Sequence, residues 1–190
     1  MTYTIGLDLG QAHDPSALVI LERAAPRSDA VDIRRWPLGT PYPQIVADVE
    51  RLRELPALID AQLVIDGTGV GRGVVDMFRA TGARRIVPVL ITSGAHAHQD
   101  EFGYWLVPKK ELVGAVQVGL QAGTLKIAAA LDHAKTLLHE LTQFQAKITD
   151  AANVVTGAWR EGQHDDLVLA LALALWYVPQ RNSAVGAFAR

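Results

Sequence analysis

A chain of 190 residues, 49% apolar and 20% charged, has material for one domain with a sizeable core and is too apolar for a disordered segment. Its net charge of −2 carries no overall basic excess, so any nucleic acid must be met by a local patch. The absence of cysteine excludes disulfides, thiolate zinc sites and a cysteine nucleophile, and fits a reducing, cytoplasmic setting.

The N-terminus reads directly as a strand, with no basic and apolar leader, so no signal peptide is expected. Tyr3–Leu9, Ala17–Glu22 and Val31–Pro37 are short segments rich in β-branched or large apolar residues, divided by Gly, Pro, Asp and Ser, and predict three strands. Ile45, Val46, Val49, Leu52 and Leu55 recur at helical spacing, with Asp48, Glu50, Arg51 and Arg53 on the opposite side and a break at Pro56. Leu63–Asp66 predicts a buried strand, Val70–Ala80 a helix stopped by Gly82, and Arg85–Ile91 another buried strand.

Thr92–Trp105 shows no period and predicts a long loop. Pro108 opens the next helix, with Leu112, Val113, Val116 and Leu120 on one face and Gly123 at its end. Leu131–Phe144 repeats the helical pattern through Leu131, Ala134, Leu138 and Leu141, and Gln145–Arg160 predicts a short hairpin. In Leu167–Val178 leucine and alanine alternate with a strand-like period of two. Both are strong helix formers, and a helix buried on all sides can be apolar all round, so a buried helix is expected. The run is shorter than the ~20 residues a bilayer requires, and no membrane association is expected. The order of elements describes a single domain, residues 1–190, built on a mixed α/β sheet.

Acids stand where such a fold can gather them. Asp8 interrupts the apolar strand Thr4–Gly10, Asp66 ends Leu63–Asp66, and Asp165 and Asp166 open the last helix just after His164. Phosphodiester hydrolysis needs an activated water, neutralised phosphoryl charge and a stabilised leaving oxygen, and two divalent ions can supply all three. Mg2+ or Mn2+ takes oxygen ligands, so Asp8, Asp66, Asp166 and Asp165 are candidate metal ligands and catalytic groups, with His164 as a further ligand or water-positioning group. Between the two helix acids the reading leans to Asp166.

Each acid also has a plain structural reading. Asp165 and Asp166 suit a helix cap and its dipole, and Asp66 before Gly67 suits a turn. Asp8 resists one, because an unpaired aspartate in a central strand is costly to bury. The glycines of Gly67–Gly73 fit neither the dinucleotide nor the phosphate-loop spacing and read as a permissive strand-to-helix turn, with Arg72 a candidate phosphate contact. Lys109 and Lys110, near Tyr104 and Trp105, are candidate DNA-backbone contacts, whereas His96 and His98 read as loop histidines.

Three blocks together, Ile5–Gly10 with Asp14-Pro-Ser-Ala17, Val64–Gly71, and Gly162–Val168 with Ala170–Ala172, resemble the C-terminal nuclease domain of the large terminase subunit of tailed bacteriophages. The resemblance implies an RNase H-like mixed central sheet with its first three strands antiparallel and helices on both faces. It implies Mg2+- or Mn2+-dependent cleavage of double-stranded viral DNA during packaging, with two ions on acids at the positions of Asp8, Asp66, Asp165 and Asp166. It also implies partners: double-stranded DNA, a separate ATPase motor domain, a small terminase subunit and a portal, in the host cytoplasm. The chain departs from the pattern in lacking a motor segment and in carrying Leu169 where many relatives have a further acid. Competing expectations are a junction resolvase-like nuclease, an actin-like or sugar-kinase fragment, for which the second phosphate loop is missing, and a non-catalytic DNA-binding or assembly module.

Overall fold

The computed structural model describes residues 1–10, 14–151 and 165–187, with side chains followed over 1–10, 14–143 and 165–177. Strand β1 (Thr2–Asp8), β2 (Ala17–Ala24) and β3 (Arg27–Arg35) form an antiparallel meander, as expected. Helix α1 (Tyr42–Arg53) crosses to β4 (Gln62–Asp66), which pairs parallel to β1, and α2 (Gly71–Ala80) leads to β5 (Ile86–Thr92), parallel to β4. Then come β6 (His98–Gln99), β7 (Trp105–Pro108), α3 (Lys109–Gln121), β8 (Leu125–Ile127), α4 (Ala134–Ala151) and α5 (Asp166–Ala187). Among the described residues the strands make one eight-stranded sheet in the order β6-β7-β5-β4-β1-β2-β3-β8.

Alternation along the strands splits the core into two layers. Ile5 and Leu7 of β1, Leu18 and Ile20 of β2, and Leu63 and Ile65 of β4 pack with Ile45, Val49, Val74 and Phe78 of α1 and α2. The alternate positions Ala17, Val19, Val64 and Val89 pack with α3, α4 and α5 on the other face. Helices therefore cover both faces, and the central strands are apolar on both sides, as buried parallel strands are.

The period-two run of the last segment is a helix, and Leu167, Val168 and every residue of 170–176 are buried. Propensity prevails over the apparent period because all sides of α5 meet protein. Its seat is Gly6: a Cβ there would lie 1.9 Å from the Ala170 carbonyl oxygen and 2.9 Å from the Ala174 nitrogen, so only glycine lets strand and helix approach this closely.

Several sequence expectations are corrected. The segment expected as a loop holds β6 and the start of β7, with a tight turn in which the Asp100 carboxylate accepts the N–H groups of Phe102 and Tyr104 at 3.0 and 2.8 Å. Strands of two, three and four residues are too short to leave a period, which is why β6, β7 and β8 escape sequence reading. Helix α4 runs through 145–151, where a hairpin was expected; the rest of that stretch, 152–160, lies outside the described residues. Its inner face is Ala134, Leu137, Glu140 and Leu141, and Leu138 is 45% exposed. In α1, which ends before Leu55, Arg53 is buried rather than solvated: it pairs with Glu50 at 2.7 Å and donates to the Arg84 carbonyl.

Candidate active site

Register places the acids before any side chain is considered. Gly6 pairs with Val64 and Leu7 with Ile65 in the parallel β1–β4 ladder, so the next residues, Asp8 and Asp66, stand side by side on neighbouring strands ~4.8 Å apart. Both share the parity of Gly6 and Val64 and so face α5. On the other flank Asp8 is opposite Ala17, and Ala17 is opposite Arg35. One row of the sheet thus reads Val89, Asp66, Asp8, Ala17, Arg35 across five strands.

Helix α5 supplies the second wall. Since Gly6 touches it at Ala170 and Ala174, its first residue, one turn earlier, falls level with Asp8, two residues further along β1. Asp165 caps the helix, its carbonyl accepting the Leu169 N–H at 2.9 Å, and is half-buried. Asp166 is 2% exposed and pairs through Oδ2 with Arg35 Nη2 at 2.8 Å.

The electrostatics agree with this convergence. Burial pushes the Asp8 carboxyl well above the usual carboxylate range, and the charges of Asp66, Asp166, Asp165 and Asp14 push it further. Asp66 is raised by burial, and the Thr68 hydrogen bonds and the Lys109 ammonium partly offset this. Its Oδ1 accepts the Thr68 N–H at 2.8 Å, a turn that the sequence suggested and that also fixes the carboxylate.

Of the residues singled out from sequence, Asp8, Asp66, Asp165, Asp166 and Lys109 come together. His164 lies outside the described residues. Lys110 is exposed beside Lys109 at the start of α3. Arg72 is on the first turn of α2, its guanidinium 5.7 Å from the Tyr104 ring centre, with Arg79 at 5.3 Å from the same ring.

Three residues escaped the sequence reading. Asp14 acts on Asp8 and borders a cleft of about 530 Å3 with Gly10, Ser16, Thr40 and Tyr42. Arg35 belongs to a strand whose pairing only the sheet reveals. Glu140 of α4 accepts the N–H groups of Leu167 and Val168 at 3.1 and 3.3 Å, capping α5 from a neighbouring helix. Burial and the nearby Asp166 push its carboxyl up to about 7, against the opposing pull of Arg35 and the two N–H groups. A glutamate beside Leu141 on the apolar stripe of α4 was the available signal.

Carboxylate oxygens of four aspartates around one strand end are the donor chemistry that Mg2+ and Mn2+ require. Among the described residues, no three acidic or imidazole groups stand close enough to hold an ion as a set. The donor types fit a divalent ion. No helix among the described residues is long and apolar enough to cross a membrane.

The chain matches the family model of the terminase RNaseH-like domain over residues 5–177. It is 27% identical over 172 residues to the large terminase subunits of Thermus phage G20c and Thermus virus P23-45, which is 90% of this chain and 31% of each relative. The chain thus spans about a third of the length of those relatives. Among solved structures it resembles the large terminase nuclease from the thermophilic phage G20c, with TM-score 0.60, 24% identity, and 91% of this chain and 80% of that one covered. It also resembles the Mn-soaked, inhibitor-bound terminase nuclease domain of human cytomegalovirus, with TM-score 0.58, 12% identity, and 95% and 85% covered. The antiparallel meander, the parallel strands beyond it and the helices on both faces are the RNase H-like architecture of those nucleases, and with a family match over most of its length the chain belongs to the terminase RNaseH-like domain family.

Proposed function

We propose that this domain is a divalent-metal-dependent endonuclease that cuts double-stranded DNA during viral genome packaging, as the nuclease part of a large terminase subunit. The observation that carries the reading is the gathering of four acidic charges on the buried carboxylate of Asp8. A strand position that concentrates like charge is destabilising for the fold by itself, and a cation cluster gives it a purpose. Asp8 would be shared between two ions, with Asp66 and the Asp165/Asp166 pair completing their shells and His164 a further candidate. When bound, such ions supply an activated water and neutralise charge on the phosphoryl oxygens.

The chain's own residues prepare the substrate. Lys109, whose charge already acts on Asp66, is suited to counter a phosphate oxygen at the reacting centre. Arg72, stacked on Tyr104, and Lys110, exposed on α3, are suited to backbone phosphates further along the duplex. Asp66 is held by the Thr68 N–H, which restricts the directions its carboxylate can take toward a cation. The proposed partners are DNA, a separate ATPase motor domain, a small terminase subunit and a portal, and the proposed setting is the host cytoplasm; the 31% coverage of the relatives leaves room for the motor in a longer protein.

The test is cleavage of supercoiled plasmid with Mg2+, Mn2+ or EDTA, with Asp66→Asn as control. Nicked and linear products are expected with either metal, and none with EDTA or the variant. Plasmid that stays supercoiled with both metals overturns the reading, and plasmid shifted on a gel but uncut would favour the non-catalytic module. A four-way junction in the same assay separates the resolvase-like alternative, which predicts strong preference for the branch. Arg72→Ala and Lys110→Ala are each expected to weaken DNA binding for all sequences alike and to lower the salt dependence, log Kd against log salt, by about one unit. An unchanged slope removes that residue from the interface.

A further inference from the structure

Arg35 ends β3 on the same sheet face as the acids, two strands from Asp8, with only the small Ala17 between them. Asp166 spans that gap: it pairs with Arg35 at 2.8 Å, and its charge also acts on Asp8. Glu140 Oε1 lies 3.8 Å from the same guanidinium, while its Oε2 accepts the Leu167 and Val168 N–H groups and ties α4 to the first turn of α5. The side chains of Arg35, Glu140 and Asp166 are 18%, 5% and 2% exposed.

Stability explains this trio poorly. Three charged groups must be desolvated, and Arg35 Nε and Glu140 Oε1 find no hydrogen-bond partner among the described residues. Apolar side chains of similar volume commonly hold a sheet to a helix as well or better. What apolar groups cannot do is fix the direction of a carboxylate. The charges of Asp166 and Asp8 repel each other, which favours Asp166 turning away; the Arg35 guanidinium on the far side offsets that repulsion through an ion pair to Oδ2 at 2.8 Å.

The geometry points to Arg35 as a positioning residue for Asp166, with Glu140 bracing the first turn of α5 beside it, so that Asp166 is presented to Asp8 in a fixed orientation for a shared divalent cation. This role rests on the proposed nuclease reading but adds residues that reading does not require. Outer partners of metal-binding carboxylates act in this way elsewhere, and their loss typically weakens metal binding by about 10–100-fold.

The experiment is a double-mutant cycle on the full chain, read as Mn2+ affinity from the electron paramagnetic resonance signal of free Mn2+, with circular dichroism to establish folding. Arg35→Gln is expected to weaken Mn2+ binding about tenfold or more. In an Asp166→Asn background the same substitution is expected to change little, because Arg35 acts through that carboxylate; a purely structural role predicts no such dependence. Arg35→Lys, which keeps the charge without the planar fork, should fall between wild type and Arg35→Gln. Wild-type Mn2+ affinity in folded Arg35→Gln, or a loss that adds in full to that of Asp166→Asn, overturns the inference. If Arg35→Gln does not fold, the cycle is run with Arg35→Lys, where wild-type affinity likewise overturns it. A wild-type chain that neither binds Mn2+ nor cuts DNA instead overturns the nuclease reading beneath it.

Discussion

Asp8→Asn is expected to abolish metal-dependent cleavage and, in metal-free buffer, to make the protein more stable. The two effects share one cause. The Asp8 carboxyl is 8% exposed, on a strand between Asp66 and Ala17, and burial together with the charges of Asp66, Asp166, Asp165 and Asp14 raises its pKa well above the ordinary range. A carboxyl raised in the folded state binds more protons folded than unfolded, so stability falls as pH rises from the unfolded pKa of about 3.9 through the folded value. At neutral pH and without cations the cost is present, and an uncharged isostere removes it. The melting temperature of Asp8→Asn should therefore exceed that of wild type at pH 7, by roughly 2–4 °C for each kcal/mol recovered, with the gap closing toward pH 4. Mn2+ should reverse the ranking, because only the wild type retains the carboxylate proposed to ligate the ions. Cleavage should fall by roughly a thousandfold, equivalent to about 4 kcal/mol of transition-state stabilisation. A variant that melts below wild type at every pH, or one that still cuts, would remove Asp8 from the centre of the site.

Gly6→Ala should produce the opposite pairing, with stability and cleavage lost together. The added Cβ would sit 1.9 Å from the carbonyl oxygen of Ala170, a backbone atom that no rotamer change can move. Strand β1 is central, paired to β2 and β4, so α5 must lift. Lifting it opens contacts of Ala170, Leu171 and Ala174, all buried, and carries Asp165 and Asp166 away from Asp8. The cost is roughly 3 kcal/mol or more, since overpacking against backbone lies at the severe end of such changes, and the melting temperature should drop by about 6–12 °C. Thermal melts of Gly6→Ala beside Gly73→Ala, where an added Cβ meets nothing within 4 Å, check the argument. Equal melting temperatures for those two variants would mean that the close strand–helix approach is not a constraint. Together, Asp8→Asn and Gly6→Ala separate the two roles of β1: one variant loses chemistry while gaining stability, and the other loses both.

Much of the frame was legible in the chain itself. Long elements with clean apolar patterning, such as β1, β2, β4, α1 and α2, lie close to their expected bounds, because burial of one face or both writes itself into residue order. Asp8 was legible because a carboxylate between Leu7 and Leu9 breaks that order. Asp66 and the Asp165/Asp166 pair were legible as acids at element ends, where turn and cap readings competed with function. The short strands β6, β7 and β8 were not legible. They are too short to carry a period, and β8 is recruited by β3, which is distant in sequence, while β7 joins β5 and carries β6. Arg53 misled because a charged side chain on a helix is usually solvated, and only the Arg84 carbonyl and Glu50 around it explain its burial.

By itself, the sequence determined the α/β class, the first three strands, the helical nature of the last apolar run and the acids that interrupt apolar elements, because local propensity and periodicity are properties of adjacent residues; the antiparallel pairing of those strands was implied only by the family resemblance. Tertiary structure alone decided that Asp8 and Asp66 share a register, that Gly6 lets α5 descend until Asp165 and Asp166 reach them, and that Arg35 and Glu140 close the arrangement from behind. Those relations join residues far apart in the chain, such as Asp8 to Asp166 and Gly6 to Ala170, and depend on strand order and a single close backbone contact. No local pattern encodes them, since the forces that set them, packing between layers and repulsion among gathered charges, arise only once the sheet has closed around the helix.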